Sequence, residues 1–139
     1  MNAYRWEELT EGLAAEFEVE LTQSMLDDFA GLSGDDNPLH TNDEFAERAG
    51  FPKTVAHGML TSAFYSRLAG VHLPGKYCLL HGIDLEFVKP AFAGDRLHIS
   101  GKITYLNQAY RRAEIKAQIH NAQGELISRA KIRVGLHEH

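Results

Sequence analysis

The segment DDNPLH at residues 35–40 contains a carboxylate, Asp35, and an imidazole, His40, five positions apart in the sequence. Pro38 lacks a backbone N–H and biases Asn37 toward extended conformations, so we expect a curled loop here and not a helix. Such a loop can bring the side chains of Asp35 and His40 to one point, where the pair could move protons to and from a water molecule. The same residue types are common in ordinary turns, so a simple helix-to-helix connection is the alternative.

A second segment that could take part in a reaction is AHGML at residues 56–60. A helix that begins there would leave free backbone N–H groups and a partial positive charge at its first turn. Gly58 would let a ligand carbonyl approach that backbone closely, which describes an oxyanion hole for an enolate oxygen. The alternative is that Gly58 only permits tight packing between helix and sheet. For His57 we favour a hydrogen-bonded residue that positions the turn.

The elements that must position these residues are helical in the first half of the chain. Residues 15–21 alternate as a short strand, and an apolar stripe at helical spacing predicts a helix over 22–32, capped by Thr22 or Ser24. The segment TNDE at 41–44 resembles a capping box that opens a short helix. From Gly58 to about Leu68 the chain is apolar on most sides, which predicts a buried helix that ends at Gly70.

The second half alternates in the manner of strands. Its four apolar runs are 83, 85 and 87; 97, 99 and 103; 113, 115, 117 and 119; and 130, 132 and 134. Turn-like breaks separate the runs, so we expect antiparallel strands with one apolar face. Together with one buried helix, this predicts an α+β layer in which a curved sheet packs on a helix. The length of 139 residues predicts a single domain over 1–139.

Composition narrows the classes of function. The formal net charge is −5, and the basic residues form no strong cluster of positive charge, which argues against nucleic-acid binding. No segment approaches the length of a membrane span, and the N-terminus does not resemble a signal peptide. Cys78 is the only cysteine, which favours a cytoplasmic protein and a core role for that residue. The histidines show no metal-binding spacing, so we expect no metal.

The two segments together resemble the hydratase-2 motif of MaoC-like (R)-specific enoyl-CoA hydratases. The resemblance lies in FAGLSGDDNPLHTNDEFAERAGFPKTVAHGML at 29–60, and LEFVKPAFAGDRL at 85–97 is similar to the family's strand and Gly-Asp turn. The family implies the hotdog fold, an antiparallel sheet wrapped around a long central helix. It also implies a homodimer or higher homo-oligomer with the acyl tunnel at or near the subunit interface.

The resemblance carries roles onto particular residues. Asp35 and His40 would be the catalytic pair, and Gly58 would supply the oxyanion hole; the supporting residues would be Asn37, His57 and Ser66. The implied reaction is reversible syn addition of water to a trans-2-enoyl thioester carried by CoA or acyl carrier protein. It needs no cofactor.

Two other classes of function stay open from the sequence. A hotdog thioesterase or acyl-carrier-protein dehydratase often places a carboxylate on the central helix, whereas residues 58–70 contain no Asp or Glu. A non-catalytic acyl-CoA-binding module on the same fold is the other alternative, because fold alone does not settle function.

The register of the motif separates two adjacent acids. It assigns the catalytic carboxylate to Asp35 and the variable position to Asp36. We therefore expect Asp35→Ala to lower kcat/KM for enoyl-CoA hydration by at least about 10²-fold, the usual scale of a lost general acid or base. Asp36→Ala serves as the matched control and should stay within about threefold of the wild type. Equal losses in both variants would contradict the register.

Overall fold

A five-stranded antiparallel sheet dominates the computed structural model, which describes residues 1–137. Its strands are β1 (Ala14–Glu20), β2 (Cys78–Phe87), β3 (Arg96–Asn107), β4 (Arg112–His120) and β5 (Leu126–Leu136). Their spatial order is β1-β3-β4-β5-β2, so β1 and β2 form the two edges. Every neighbouring pair is antiparallel, which confirms the arrangement that the alternating runs predict.

The apolar face of the sheet forms the core. Ile103, Ile115, Ile132 and Ile83 lie directly opposite one another across four strands, and the first three are almost fully buried. Gly101 interrupts the apolar stripe of β3, and the structure explains why. A Cβ at that position would lie 2.7 Å from Leu68 Cδ2, so the glycine makes room for a helix side chain.

The helices lie mostly in the first half of the chain. They are a short 3-10 helix (Trp6–Glu8), α1 (Gln23–Ser33), α2 (Pro38–Thr41), α3 (Asp43–Arg48) and α4 (Gly58–Arg67). A π-helical turn, Leu68–His72, continues α4, so the prediction that Gly70 ends this helix is wrong. The backbone hydrogen bond from Leu73 N–H to the Leu68 carbonyl closes the wider turn at 2.7 Å.

Helix α4 and the π-helical turn that continues it pack against the apolar face of the sheet through Leu60, Tyr65 and Leu68, all of which are buried. A buried hydrogen bond of 2.8 Å joins the hydroxyl of Tyr65 to that of Ser128 on β5. Burial raises the pKa of Tyr65 to about 12, so the phenol stays protonated and able to make this bond at neutral pH. The helix is not buried all round, since Met59 is 61% exposed.

The helix caps correct two details of the sequence analysis. Thr22, and not Ser24, caps α1, because its hydroxyl accepts a hydrogen bond from Met25 N–H at 3.2 Å. Helix α3 is capped by Asn42, whose side chain accepts from Phe45 N–H at 3.0 Å, so the predicted capping box at Thr41 is wrong. Thr41 instead closes α2, because its hydroxyl lies within hydrogen-bonding distance of two preceding carbonyls.

Membrane insertion through a helix finds no support in the described residues. None of the helices in the 1–137 range combines the length and apolar character needed to cross a bilayer.

Candidate active site

The loop that carries Asp35 follows the end of helix α1. Gly34 ends that helix with φ 77° and ψ 4°, a left-handed conformation that suits glycine. The Asp35 N–H then donates to the hydroxyl of Ser33 at 3.0 Å. The Asp35 carboxylate accepts from Asn37 N–H at 3.3 Å, which curls the loop back on itself. The Asp35 side chain is left exposed at the surface of the chain.

His40 lies on a single helical turn, α2, and not in a loop as the sequence analysis expected. Asn37 has φ −49° and ψ 133°, outside the α region that the following proline disfavours. Its side chain caps the turn by accepting from Leu39 N–H at 2.9 Å. Pro38 occupies the first helical position, where its missing N–H removes no helical hydrogen bond. The proline therefore starts a short helix and does not prevent one.

The extended segment before α4 holds His40 in place. Val55 N–H donates to the Leu39 carbonyl at 3.0 Å, and the Val55 carbonyl lies 2.6 Å from His40 Nδ1. A carbonyl can only accept, so His40 Nδ1 carries the hydrogen. In the neutral ring Nε2 then has a free lone pair, which can accept a proton. The Ala56 N–H in turn donates to the Ala91 carbonyl at 2.8 Å, which fixes this segment to the loop before β3.

The structure brings Asp35 and His40 together, although His40 lies on a helical turn and not in the predicted loop. A carboxylate oxygen of Asp35, a ring nitrogen of His40 and a ring nitrogen of His57 all lie within 4.8 Å of one another. One water molecule can span such a separation with two hydrogen bonds of about 2.8 Å each. The arrangement can therefore hold a water between a carboxylate and an imidazole.

His57 is the buried member of this group, with 2% of its surface exposed. Its Nε2 lies 2.9 Å from the main-chain carbonyl of Asp35, and its ring stacks on that of His40 with centroids 4.0 Å apart and planes 25° apart. The stacking disfavours a shared metal ion. A ligating imidazole holds the ion in its own plane at about 2.0–2.1 Å, and two nearly parallel planes this far apart cannot both contain it.

A cavity of about 380 Å³ opens beside His40. Gly58, the first residue of α4, lines it, and the helix's own hydrogen-bond ladder does not use the Gly58 N–H. The Gly58 carbonyl accepts from the hydroxyls of Thr61 and Ser62, both at 2.8 Å, which stiffens the first turn. Gly58 also permits tight packing between helix and sheet, the alternative role given above, because a Cβ there would stand 2.8 Å from the ring of Phe87.

Ser66 is not part of this group in the described chain. It lies on α4 eight residues after Gly58, about 12 Å along the helix axis. Its side chain lines a separate groove of about 170 Å³ together with Met59, Leu80 and Ile83. The structure thus places His40 and Gly58 on one cavity, brings Asp35 close to His40, and leaves Ser66 in a different groove.

Two contributors to the site went unnoticed in the sequence. Val55 acts through its carbonyl, which every residue has, so no side-chain signal marks it. The alternating pattern places Phe87 on the apolar face of a strand, and nothing in the local sequence indicates that this side chain contacts Gly58. Burial raises the pKa of the Cys78 thiol to about 11, which agrees with the expectation that Cys78 is a core residue and not a nucleophile.

Comparisons with known proteins indicate the family. The family model described as MaoC like domain matches residues 7–124. An (R)-specific enoyl-CoA hydratase from Aeromonas caviae is 37% identical over 98 residues, which cover 70% of this chain and 73% of the relative. An (R)-specific enoyl-CoA hydratase from Rhodospirillum rubrum is 35% identical over 101 residues, which cover 73% of this chain and 70% of the relative.

The fold is also similar to a solved structure. The (R)-hydratase from A. caviae superposes with a TM-score of 0.90 at 31% identity, and the match covers 94% of this chain and 99% of that one. The hotdog fold that the motif resemblance implies is therefore confirmed.

The hydrogen bond to Val55 predicts one tautomer of His40. In its neutral form the ring should carry hydrogen on Nδ1 and a bare Nε2, because the Val55 carbonyl must receive a donor. Imidazole ¹⁵N chemical shifts measured by NMR distinguish the two tautomers, and His40→Ala identifies the signals. A neutral ring protonated on Nε2 would contradict this geometry.

Proposed function

Because the chain belongs to the MaoC-like domain family, we propose that it is an (R)-specific enoyl-CoA hydratase that also runs in reverse as a 3-hydroxyacyl-CoA dehydratase. The reaction is syn addition of water to a trans-2-enoyl thioester. The observation that carries the proposal is the meeting of the Asp35 carboxylate and the His40 ring within 4.8 Å, beside a cavity that Gly58 lines.

Asp35 and His40 act on a water held between them. The water oxygen bonds to the β-carbon of the enoyl group while the α-carbon receives a proton. The pair as a whole takes one proton from the water and gives one to the α-carbon, so it returns to its starting protonation state. Because the two groups are coupled, we assign the proton transfers to the pair and not to single residues. The addition changes no net oxidation state, so it needs no redox cofactor.

Gly58 stabilises the charge that develops on the thioester oxygen. As water adds to the β-carbon, electron density moves to the thioester carbonyl and gives it enolate character. The Gly58 N–H, at the positive end of α4, is the donor in our proposal. Asn37 supports the pair indirectly, because its side chain caps the turn on which His40 lies.

A second copy of the chain is the partner that we propose. Edge strand β2 has ten residues and exposes Leu79, Leu80 and Phe87, with 47%, 51% and 51% of their surfaces accessible. The other edge, β1, carries three glutamates at 16, 18 and 20, which discourage strand pairing. Two copies of β2 can pair about a two-fold axis and cover this apolar edge. The groove that Ser66 lines together with Leu80 and Ile83 lies beside this edge and would be covered as well.

The hydration proposal predicts a stereospecific activity without a bound metal or redox group. Purified protein should convert crotonyl-CoA to (R)-3-hydroxybutyryl-CoA, followed by loss of enoyl thioester absorbance and by chiral analysis of the product. His40→Ala should lower kcat by about 10²-fold or more, because the proton-transfer pair is broken. Release of free CoA, detected with a thiol reagent, would instead indicate a thioesterase. Saturable acyl-CoA binding without turnover would indicate a binding module.

Gly58→Ala separates the oxyanion role from the packing role. The added methyl group would stand 2.8 Å from a Phe87 ring atom, so the ring must shift, and we expect the free energy of unfolding to fall by about 1–3 kcal/mol. The same methyl group should hinder approach of the thioester oxygen and lower kcat by about 10-fold or more. Thermal unfolding and steady-state kinetics on the same preparation test both parts. A stable variant with wild-type kcat would exclude the oxyanion role.

The proposed dimer predicts a change in mass. Light scattering should give twice the chain mass for the wild type, and Leu80→Lys should give the monomer because it places a charge in the covered groove. Leu32→Lys, at an 86% exposed position on α1, is the matched control and should remain dimeric. A monomeric wild type would rule out the interface.

A further inference from the structure

His57 makes two separate contacts with the two residues proposed to carry out the hydration. Its Nε2 lies 2.9 Å from the main-chain carbonyl oxygen of Asp35. Its ring face lies on that of His40, with centroids 4.0 Å apart. Phe29 of α1 packs against the His57 ring as well, at 4.8 Å between centroids, and only 2% of the His57 surface is exposed. His57 is therefore held in place from several sides and is removed from bulk solvent.

The hydrogen bond to Asp35 determines the form of the His57 ring. Since a carbonyl only accepts, Nε2 carries the hydrogen. Nδ1 is then a bare acceptor, and it is buried without a hydrogen-bond partner in the part of the chain that the structure describes. The ring therefore reaches Asp35 as a hydrogen-bond donor through Nε2.

We infer that His57 is a positioning residue that holds the main chain of Asp35 and the ring plane of His40 at the same time. The inference rests on the proposed hydration. Without the donor, the loop at Asp35 is held mainly by the Ser33 hydroxyl and by its own turn. Without the stacked ring, the His40 imidazole keeps one hydrogen bond among the described residues, to the Val55 carbonyl, about which the ring can tilt. Because a displacement of about 1 Å in a reacting group can cost about 10² in rate, both restraints affect the chemical step.

Two substitutions separate the two contacts. His57→Phe keeps a ring against His40 and Phe29 and removes the donor to Asp35. His57→Gln keeps an N–H donor and removes the ring. Each should lower kcat for crotonyl-CoA by about 10-fold, and His57→Ala by about 10²-fold, with KM changed by less than about threefold. The split between kcat and KM follows because His57 fixes the reacting groups without lining the substrate cavity.

His72 provides a matched control for the same substitution. It lies in the π-helical turn after α4, stacks on Phe17 with centroids 4.8 Å apart, and has a buried Nε2 without a partner among residues 1–137. His72 is only partly buried, but His72→Phe makes the same change of ring in a stacked pair away from the site and should leave kcat and KM near wild type. Imidazole ¹⁵N NMR adds a readout independent of turnover: the His40 signals should shift in His57→Phe and stay unchanged in His72→Phe.

The outcomes distinguish the inference from the hydration proposal. Wild-type kcat in both His57→Phe and His57→Gln, or an equal loss in His72→Phe, would overturn the positioning role while leaving the activity intact. If the wild type does not hydrate crotonyl-CoA, the proposed function fails, and unchanged His40 NMR signals in His57→Phe would overturn the positioning role as well. Thermal unfolding identifies any variant that does not fold; if His57→Phe is lost in this way, His57→Gln decides the kinetic test.

Discussion

The hydrogen bond between His40 Nδ1 and the Val55 carbonyl is the interaction on which the site depends. It joins the turn that carries His40 to the extended segment that leads into α4, over a distance of 2.6 Å. It also determines which nitrogen of His40 is available for chemistry, because the other must donate. The same segment continues to His57 and Gly58, so one stretch of backbone positions the proposed proton-transfer pair relative to the proposed oxyanion donor.

The sheet and α4 make that arrangement rigid. The Tyr65–Ser128 hydrogen bond and the packing of Leu68 over Gly101 hold α4 and its π-helical continuation on the apolar face of the sheet. The first turn of α4 is stiffened by two hydroxyls on the Gly58 carbonyl, and Phe87 at the end of β2 closes on the same residue. A site built on the end of a packed helix can keep its donors aimed without reorganisation, which is the condition for electrostatic stabilisation of a developing charge.

Much of the fold follows from local patterns in the sequence. The alternating runs of the second half predict the antiparallel strands because a half-buried sheet imposes a two-residue period. Helices α1, α3 and α4 are also predicted, but α2 is not, and the predicted helix ends are inexact. Gly70 does not end α4, because a wider π-helical turn carries the chain to His72. Asn42 and not Thr41 caps α3, because the Thr41 hydroxyl faces the carbonyls of Asp36 and Asn37. Such choices depend on which polar groups happen to be near, which a local pattern does not report.

For the site, the sequence by itself determined the chemical groups and their register. DDNPLH supplies a carboxylate and an imidazole around a proline, and AHGML supplies a glycine at the start of a helix. Only the tertiary structure decided how these groups meet. It stacked His57 on His40, placed the Val55 carbonyl on His40, brought Phe87 to Gly58 and left Ser66 in a different groove. The physical reason is that each of these contacts joins residues from different elements, and their separation in space is set by packing across the whole chain and not by the local sequence.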